Sequence, residues 1–108
     1  MGQWITPEQL HNAIDDYAII DVRDCDFDGR MIRGGLNVPI NDVVIGSKDT
    51  LDRIRSHVMS KPIVVHCMLS QQRGPSSVKY LESMMDNTVY VLTGGFSAYV
   101  ELFPEDIE

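Results

Sequence analysis

Apolar positions along the chain fall into short blocks, and their spacing alternates between strand-like and helix-like. Ala18-Ile19-Ile20-Asp21-Val22, Pro62 to His66 and Val89-Tyr90-Val91-Leu92 are compact, rich in β-branched residues and bounded by polar or turn residues, which predicts three buried strands. Pro62 opens its block, where a missing N–H costs no central ladder bond. Between the first two blocks, Leu51, Ile54, Val58 and Met59 recur at helical spacing, predicting an amphipathic helix over about 49–60. Pro75 opens a further helix with Val78, Leu81 and Met85 on its inner face. Thr6-Pro7-Glu8-Gln9 is a capping box with proline in the first turn, predicting a helix from Pro7 to about Asp15. Gly94-Gly95 reads as a turn before a last helix, Phe96 to Leu102. DCDFDGR reads as an Asp-rich loop, and IRGGLNVPI as a Gly-Gly turn with a short extended piece.

Strands alternating with helices predict an α/β domain on a parallel sheet, residues 1–108 forming one unit without repeats or linkers. Such sheets bind ligands beyond the carboxyl ends of their strands. The loops after Val22 and after His66 both leave from that edge, so they are expected to be neighbours.

Charge narrows the partners. Nine basic and sixteen acidic residues give a net charge of -7, which argues against nucleic acid. The balance is uneven: residues 15–28 hold six aspartates and one arginine, whereas residues 48–79 hold six basic and two acidic side chains. The basic stretch implies a modest positive field around residues 66–73, or simply a solvated face. No apolar run approaches the roughly 18 residues of a membrane span, and MGQWITPEQL has no secretory pattern. Two cysteines, Cys25 and Cys67, are too few for a disulfide scaffold. A cytoplasmic setting, with the nucleus also open, is the expectation. Oligomeric state is not fixed by the sequence.

The chemistry concentrates in HCMLSQQRGP, residues 66–75. His66 and Cys67 close an apolar strand, and Arg73 follows after five residues, just ahead of a helix. A tight loop there turns backbone N–H groups inward, and the helix terminus adds positive potential, so Met68, Leu69, Ser70, Gln71, Gln72 and Arg73 are expected to cradle an oxyanion. Arg73 offers a planar fork for two of its oxygens. Cys67 at the base is the candidate nucleophile. A free thiol is only about 3% ionised at pH 7, so the amides and Arg73 must also favour the thiolate. Singly, Cys67 could be a small core residue and His66 a satisfied core histidine; the combination points to a catalytic loop with Cys67, Arg73 and His66 as its chemical residues. Two cysteines plus His66 make no sensible metal-ligand spacing, so no metal is expected.

HCMLSQQRGP resembles the active loop of the M-phase inducer (cell-division-cycle) dual-specificity phosphatases, and equally that of the small eukaryotic arsenate reductases. Both have the rhodanese fold, and the likeness runs through the chain: WITPEQL resembles its opening strand and helix, IIDVRD its first core strand with Asp21 and Arg23, IRGGLNVP its glycine-rich turn, and VLTGGFSAY its closing strand, Gly-Gly and helix. The resemblance implies a rhodanese-like fold, a small parallel sheet flanked by helices on both faces. It also implies a seven-residue oxyanion loop, Cys67 through Arg73, where true sulfurtransferases have six.

The implied activity is that of a cysteine-dependent phosphatase, of protein tyrosine or dual-specificity type, or an arsenate reductase. Its substrate would be a small oxyanion or a phosphorylated molecule, with neither nucleic acid nor membrane as partner. No cofactor is implied, apart from a thiol reductant such as glutathione or glutaredoxin for arsenate reduction. The alternatives are thiosulfate-type sulfur transfer through a Cys67 persulfide, and a rhodanese-like binding module without turnover. The phosphatases carry glutamate just before the loop arginine; Gln72 stands there and has no proton to give. Asp24, Asp26 and Asp28, on the same sheet edge, are therefore the candidates for a general acid. Cys25, in the same loop, is the candidate resolving thiol.

Overall fold

Ile63-Val64-Val65-His66 is buried along its whole length, which a continuous β-branched block requires: both faces of the strand must be covered. A computed structural model, describing residues 3–108, places this strand at the centre of a five-stranded, all-parallel sheet. The strands are β1 (Gln3–Ile5), β2 (Ala18–Asp21), β3 (Gly35–Asn37), β4 (Ile63–His66) and β5 (Val89–Leu92), in the order β1-β5-β4-β2-β3. The helices are α1 (Pro7–Asn12), α2 (Ile40–Ile45), α3 (Lys48–Val58), α4 (Arg73–Met84) and α5 (Gly95–Leu102), with 3-10 turns at Ile14–Asp16 and Pro104–Asp106.

Alternation along each strand divides the core in two. Ile20, Val65, Cys67 and Val91 face Val43, Ile54, Val58, Val78 and Leu81 of α2, α3 and α4. Ile19, Val64 and Leu92 face Leu10, Ile14, Phe96 and Tyr99 on the other side. Helices thus flank both faces, as the resemblance implied.

Several boundaries differ from the sequence expectation. The capping box forms, Gln9 N–H donating to Thr6 Oγ1 at 3.1 Å and Thr6 N–H to Gln9 Oε1 at 2.9 Å, but α1 stops at Asn12, short of Asp15. Acidic residues are unfavourable at a helix C-terminus, and Asp15 and Asp16 lie in the separate 3-10 turn. Helix α2 was not anticipated. Its six residues are mostly β-branched and bury Val43 alone, too short for a period to show; Gly46 in the left-handed conformation ends it. Helix α3 ends at Val58, so Met59, 76% exposed, leaves the inner face, and Thr50 takes a buried place there instead. Helix α4 starts at Arg73, two residues before Pro75, which sits in the first turn where its missing N–H costs no helical bond.

The register matters most for function. Asp21 lies beside His66 on adjacent strands, and Val22 N–H donates to the His66 carbonyl at 2.8 Å. The segments following β2 and β4 therefore leave the sheet side by side.

Candidate active site

Cys67 follows the last residue of β4 and is almost wholly buried. The chain then turns through Ser70, whose φ of +55° is left-handed, and enters α4. This path aims two amides at the sulfur: Ser70 N–H donates to Cys67 Sγ at 3.2 Å and Gly74 N–H at 3.4 Å. Ser70 Oγ accepts from Cys67 N–H at 3.4 Å, closing the turn on itself. The sulfur thus sits at the N-terminus of α4 as the acceptor of two backbone N–H groups.

The loop is fastened from behind by the start of the last helix, to which sequence reasoning gave no part in the site. Phe96 N–H donates to the Cys67 carbonyl and Ser97 N–H to the Met68 carbonyl, both at 2.9 Å. These are orphan donors of the first turn of α5, satisfied by the loop. Gly95, with φ of +63°, lets the two backbones meet: a Cβ there would lie 2.6 Å from both carbonyl oxygens. The Gly94-Gly95 pair was the available signal.

A cleft of about 410 Å³ opens over the sulfur, lined by Cys67, Met68, Leu69, Gln71, Gln72, Arg73 and Asp26. Ser70, also expected to line the loop, is turned into the interior and contributes its N–H. His66 does not reach the cleft. Successive strand residues point to opposite faces, so its ring lies on the α5 side, stacked with Phe96 at a centroid distance of 6.3 Å. Its Nδ1 lies 3.2 Å from the Cys67 carbonyl, while Nε2 has no hydrogen-bond partner among the described residues. Burial pushes the ring's pKa below the ordinary imidazole value, against the pull of Asp21. His66, expected among the chemical residues, instead lies outside the cleft, with its ring packed against Phe96 behind the loop.

The aspartates also differ from expectation. Asp26 does reach the cleft, but it grips Arg73: Nη1 donates to Oδ1 and Nη2 to Oδ2, each at 2.6 Å. Asp24 Oδ1 accepts from the same Nη1 at 2.9 Å. A hydrogen bond from the Arg73 guanidinium holds the Asp26 carboxyl well below the usual carboxylate range, so in this geometry it is an acceptor, not a proton donor. Asp28 turns away to Arg30, at 2.9 and 3.0 Å. None of the three candidates is placed as a general acid, and the positive field expected around Arg73 is neutralised by two carboxylates. Cys25 is exposed and Cys67 buried, both as free thiols. The donor atoms of Asp24, Cys25 and Asp26 lie within 4.8 Å of one another, with Arg73 supplying positive charge beside them.

Residues 6–102 match the rhodanese-like domain. The chain belongs to the rhodanese-like family. Among relatives of this rhodanese-like chain, the dual specificity phosphatase ibp1 of Schizosaccharomyces pombe is 29% identical, over 89% of this chain and 86% of its own length. The CDC25-like phosphatase YCH1 of Saccharomyces cerevisiae is 25% identical, over 96% and 85% respectively. Among solved structures, the As-Sb reductase from Leishmania major superposes with a TM-score of 0.78 at 24% identity, covering 97% of this chain and 81% of that one.

The Asp21 and Arg23 of this rhodanese-like domain form a fully buried pair beneath the site. Arg23 donates to Asp21 through Nε and Nη2 at 2.6 to 3.0 Å, and Nη2 also reaches the Arg30 carbonyl at 2.6 Å. Its guanidinium lies 3.9 Å from the Phe96 ring centroid. The Asp-rich loop is thus tied down at Arg23 and Arg30, with Asp24 to Asp26 between the two fastenings. No helix of the described residues is long and apolar enough to cross a membrane.

Proposed function

We propose that this rhodanese-like domain is a cysteine-dependent phosphatase acting on aryl phosphates. The observation that carries the reading is the aim of the Ser70 and Gly74 amides at Cys67 Sγ, with Arg73 beginning α4 at the rim of the same cleft. In the first step the thiolate attacks phosphorus, the S–P bond forms and the P–O ester bond breaks. The loop amides and Arg73 hold the equatorial oxygens as charge builds on them. Water then cleaves the S–P bond, returning the thiolate and releasing phosphate. An alkoxide leaves poorly without a proton, and Asp26 and Asp28 are both held by arginine, so phenolic leaving groups are the suited ones. The phosphatase names of the two relatives support the same class.

A second reading, arsenate reduction, is favoured by the exposed thiol of Cys25, whose neighbour Asp26 lines the cleft. There Cys67 would displace hydroxide from arsenic(V). A second thiol would then attack the Cys67 sulfur, forming a disulfide while arsenic leaves as arsenite, two electrons richer. An external thiol such as glutathione or glutaredoxin would restore the pair, and neither reading calls for a metal.

One preparation assayed side by side decides between them: aryl and alkyl phosphate hydrolysis, thiol-dependent arsenate reduction, and thiosulfate-to-cyanide transfer, with Cys67→Ser as the blank. Aryl phosphate should be hydrolysed at least about 100-fold more efficiently than alkyl phosphate, the usual worth of a general acid. Faster sulfur transfer than turnover of either oxyanion would overturn the reading.

A further inference from the structure

The cleft already holds an anion. Asp26 presents two oxygens to the two terminal nitrogens of Arg73, each at 2.6 Å, which is how a guanidinium fork takes two oxygens of a phosphate or arsenate. We propose that Asp26 is a specificity-determining residue, an internal carboxylate competitor that an incoming oxyanion must displace from Arg73. This rests on the reading that the Cys67–Arg73 loop receives an oxyanion.

Three observations converge on it. Asp26 lines the same cleft as Cys67, so its carboxylate and a bound oxyanion share one space. Asp24 adds a second acceptor on Nη1, so an oxyanion arriving without displacement would bring a third anionic group to one guanidinium. The segment carrying both aspartates has neither helix nor strand between Asp21 and Gly35. It is fastened at Arg23 and Arg30, whereas Asp26 itself is part-exposed, so release needs only the loop tip to swing outward, which carries the displaced carboxylate away from the leaving group.

Selectivity follows from what each anion offers in exchange. A tethered carboxylate competes at an effective concentration on the order of millimolar, so a ligand that merely replaces it at the fork gains little. A planar carboxylate has only two oxygens and exchanges like for like. A tetrahedral oxyanion brings further oxygens for the loop amides and can win. The internal competitor would therefore admit phosphate and arsenate while excluding the abundant carboxylates.

The test is protection of Cys67 from iodoacetamide, measured on the full chain by mass spectrometry that resolves Cys67 from Cys25. Inorganic phosphate, arsenate and acetate are titrated into wild type, Asp26→Asn, Asp26→Ala and Asp24→Asn, each checked by thermal unfolding. Both Asp26 substitutions should lower the half-protecting concentration of phosphate and arsenate at least fivefold, with a smaller shift for Asp24→Asn. Acetate should protect the Asp26 variants but not the wild type. Unchanged or weaker protection in the Asp26 variants would overturn the proposal, making Asp26 an aid to Arg73 instead. If phosphate and arsenate protect wild type and variants equally, only the competitor idea falls; if neither protects any of them, the oxyanion reading of the loop falls with it.

Discussion

Replacing Gly95 by alanine should separate the fastening of the active loop from the fold as a whole. Two costs arise at this position. Its φ of +63° is left-handed, which costs an L-residue with a Cβ about 1–2 kcal/mol. The new methyl would also lie 2.6 Å from the carbonyl oxygens of Cys67 and Met68, against an ordinary contact of 3.4 Å or more. The loop and α5 must therefore part by roughly 0.8 Å, and overpacking of that kind costs about 1–3 kcal/mol. A total near 3 kcal/mol lowers the melting temperature of a domain this size by about 12 °C or more. The displaced atoms belong to Cys67 and its neighbour, and misplacement on the order of 1 Å can cost about 100-fold in turnover. Gly94→Ala is the matched control: its φ is +75° and its Cβ would meet Ala98 Cβ at 2.5 Å, with no loop atom nearby. Urea unfolding, aryl phosphate turnover and the Cys67 alkylation rate should be measured on both variants well below their melting temperatures. Gly95→Ala should lose both stability and activity, and Gly94→Ala chiefly stability. Equal activity in the two variants, or a stability loss under about 1 kcal/mol in Gly95→Ala, would refute the fastening argument.

Two further outcomes follow from the site. Arg73→Lys should lower kcat/KM at least tenfold, roughly 1.4 kcal/mol, because one ammonium cannot reproduce a planar fork; near wild-type kinetics would remove Arg73 from the machinery. His66 gives a pH dependence of definite sign. Burial lowers its folded pKa, so as pH falls below the ordinary imidazole value the unfolded chain takes up a proton that the folded chain refuses. Wild-type stability contributed by this ring is therefore present above about pH 6.5 and lost on acidification, by at most about 1.4 kcal/mol per pH unit. The stability difference between wild type and His66→Gln, read by urea unfolding from pH 7.5 to 5, should shift against the wild type as pH falls; a shift in its favour would mean that the folded ring is charged.

The sequence made the three central strands legible because blocks such as Ile63-Val64-Val65 are buried on both faces and need no partner information to be recognised. The strand, cysteine, five residues, arginine and helix were legible for a similar reason: their geometry is local, set within one loop. What escaped was non-local or too short. Helix α2 buries a single fully covered side chain, Val43, and leaves no period to read. The role of Gly95 depends on a contact with Cys67 and Met68, more than twenty-five residues earlier in the chain. The aspartates were placed on the correct sheet edge by topology, but their partner could not be deduced from it. Sequence proximity to the cysteine edge suggested proton donors; the guanidinium of Arg73, a stronger claim on a carboxylate than an uncharged ester oxygen, took Asp24 and Asp26 instead. His66 was misassigned because adjacency to Cys67 along a strand means opposite faces, not a shared site.

The hydrogen bonds that attach the loop to α5 run between peptide groups, Phe96 and Ser97 N–H on one side and the Cys67 and Met68 carbonyls on the other. Hydrogen bonds of that kind do not recognise side chains. Leu69, Gln71 and Gln72, all exposed, can therefore be exchanged over a wide range of sizes and polarities without unseating the loop, whereas Ser70, Gly74 and Gly95 cannot, and Met68 is held to apolar replacements by its packing against the core beneath α5. The domain is in this sense a holder with three replaceable facets around a fixed sulfur. A library randomised at those three positions should yield mostly folded proteins that differ in which anion they accept, and the same mount would let cargo preference diverge during descent while the rest of the chain stayed under constant constraint.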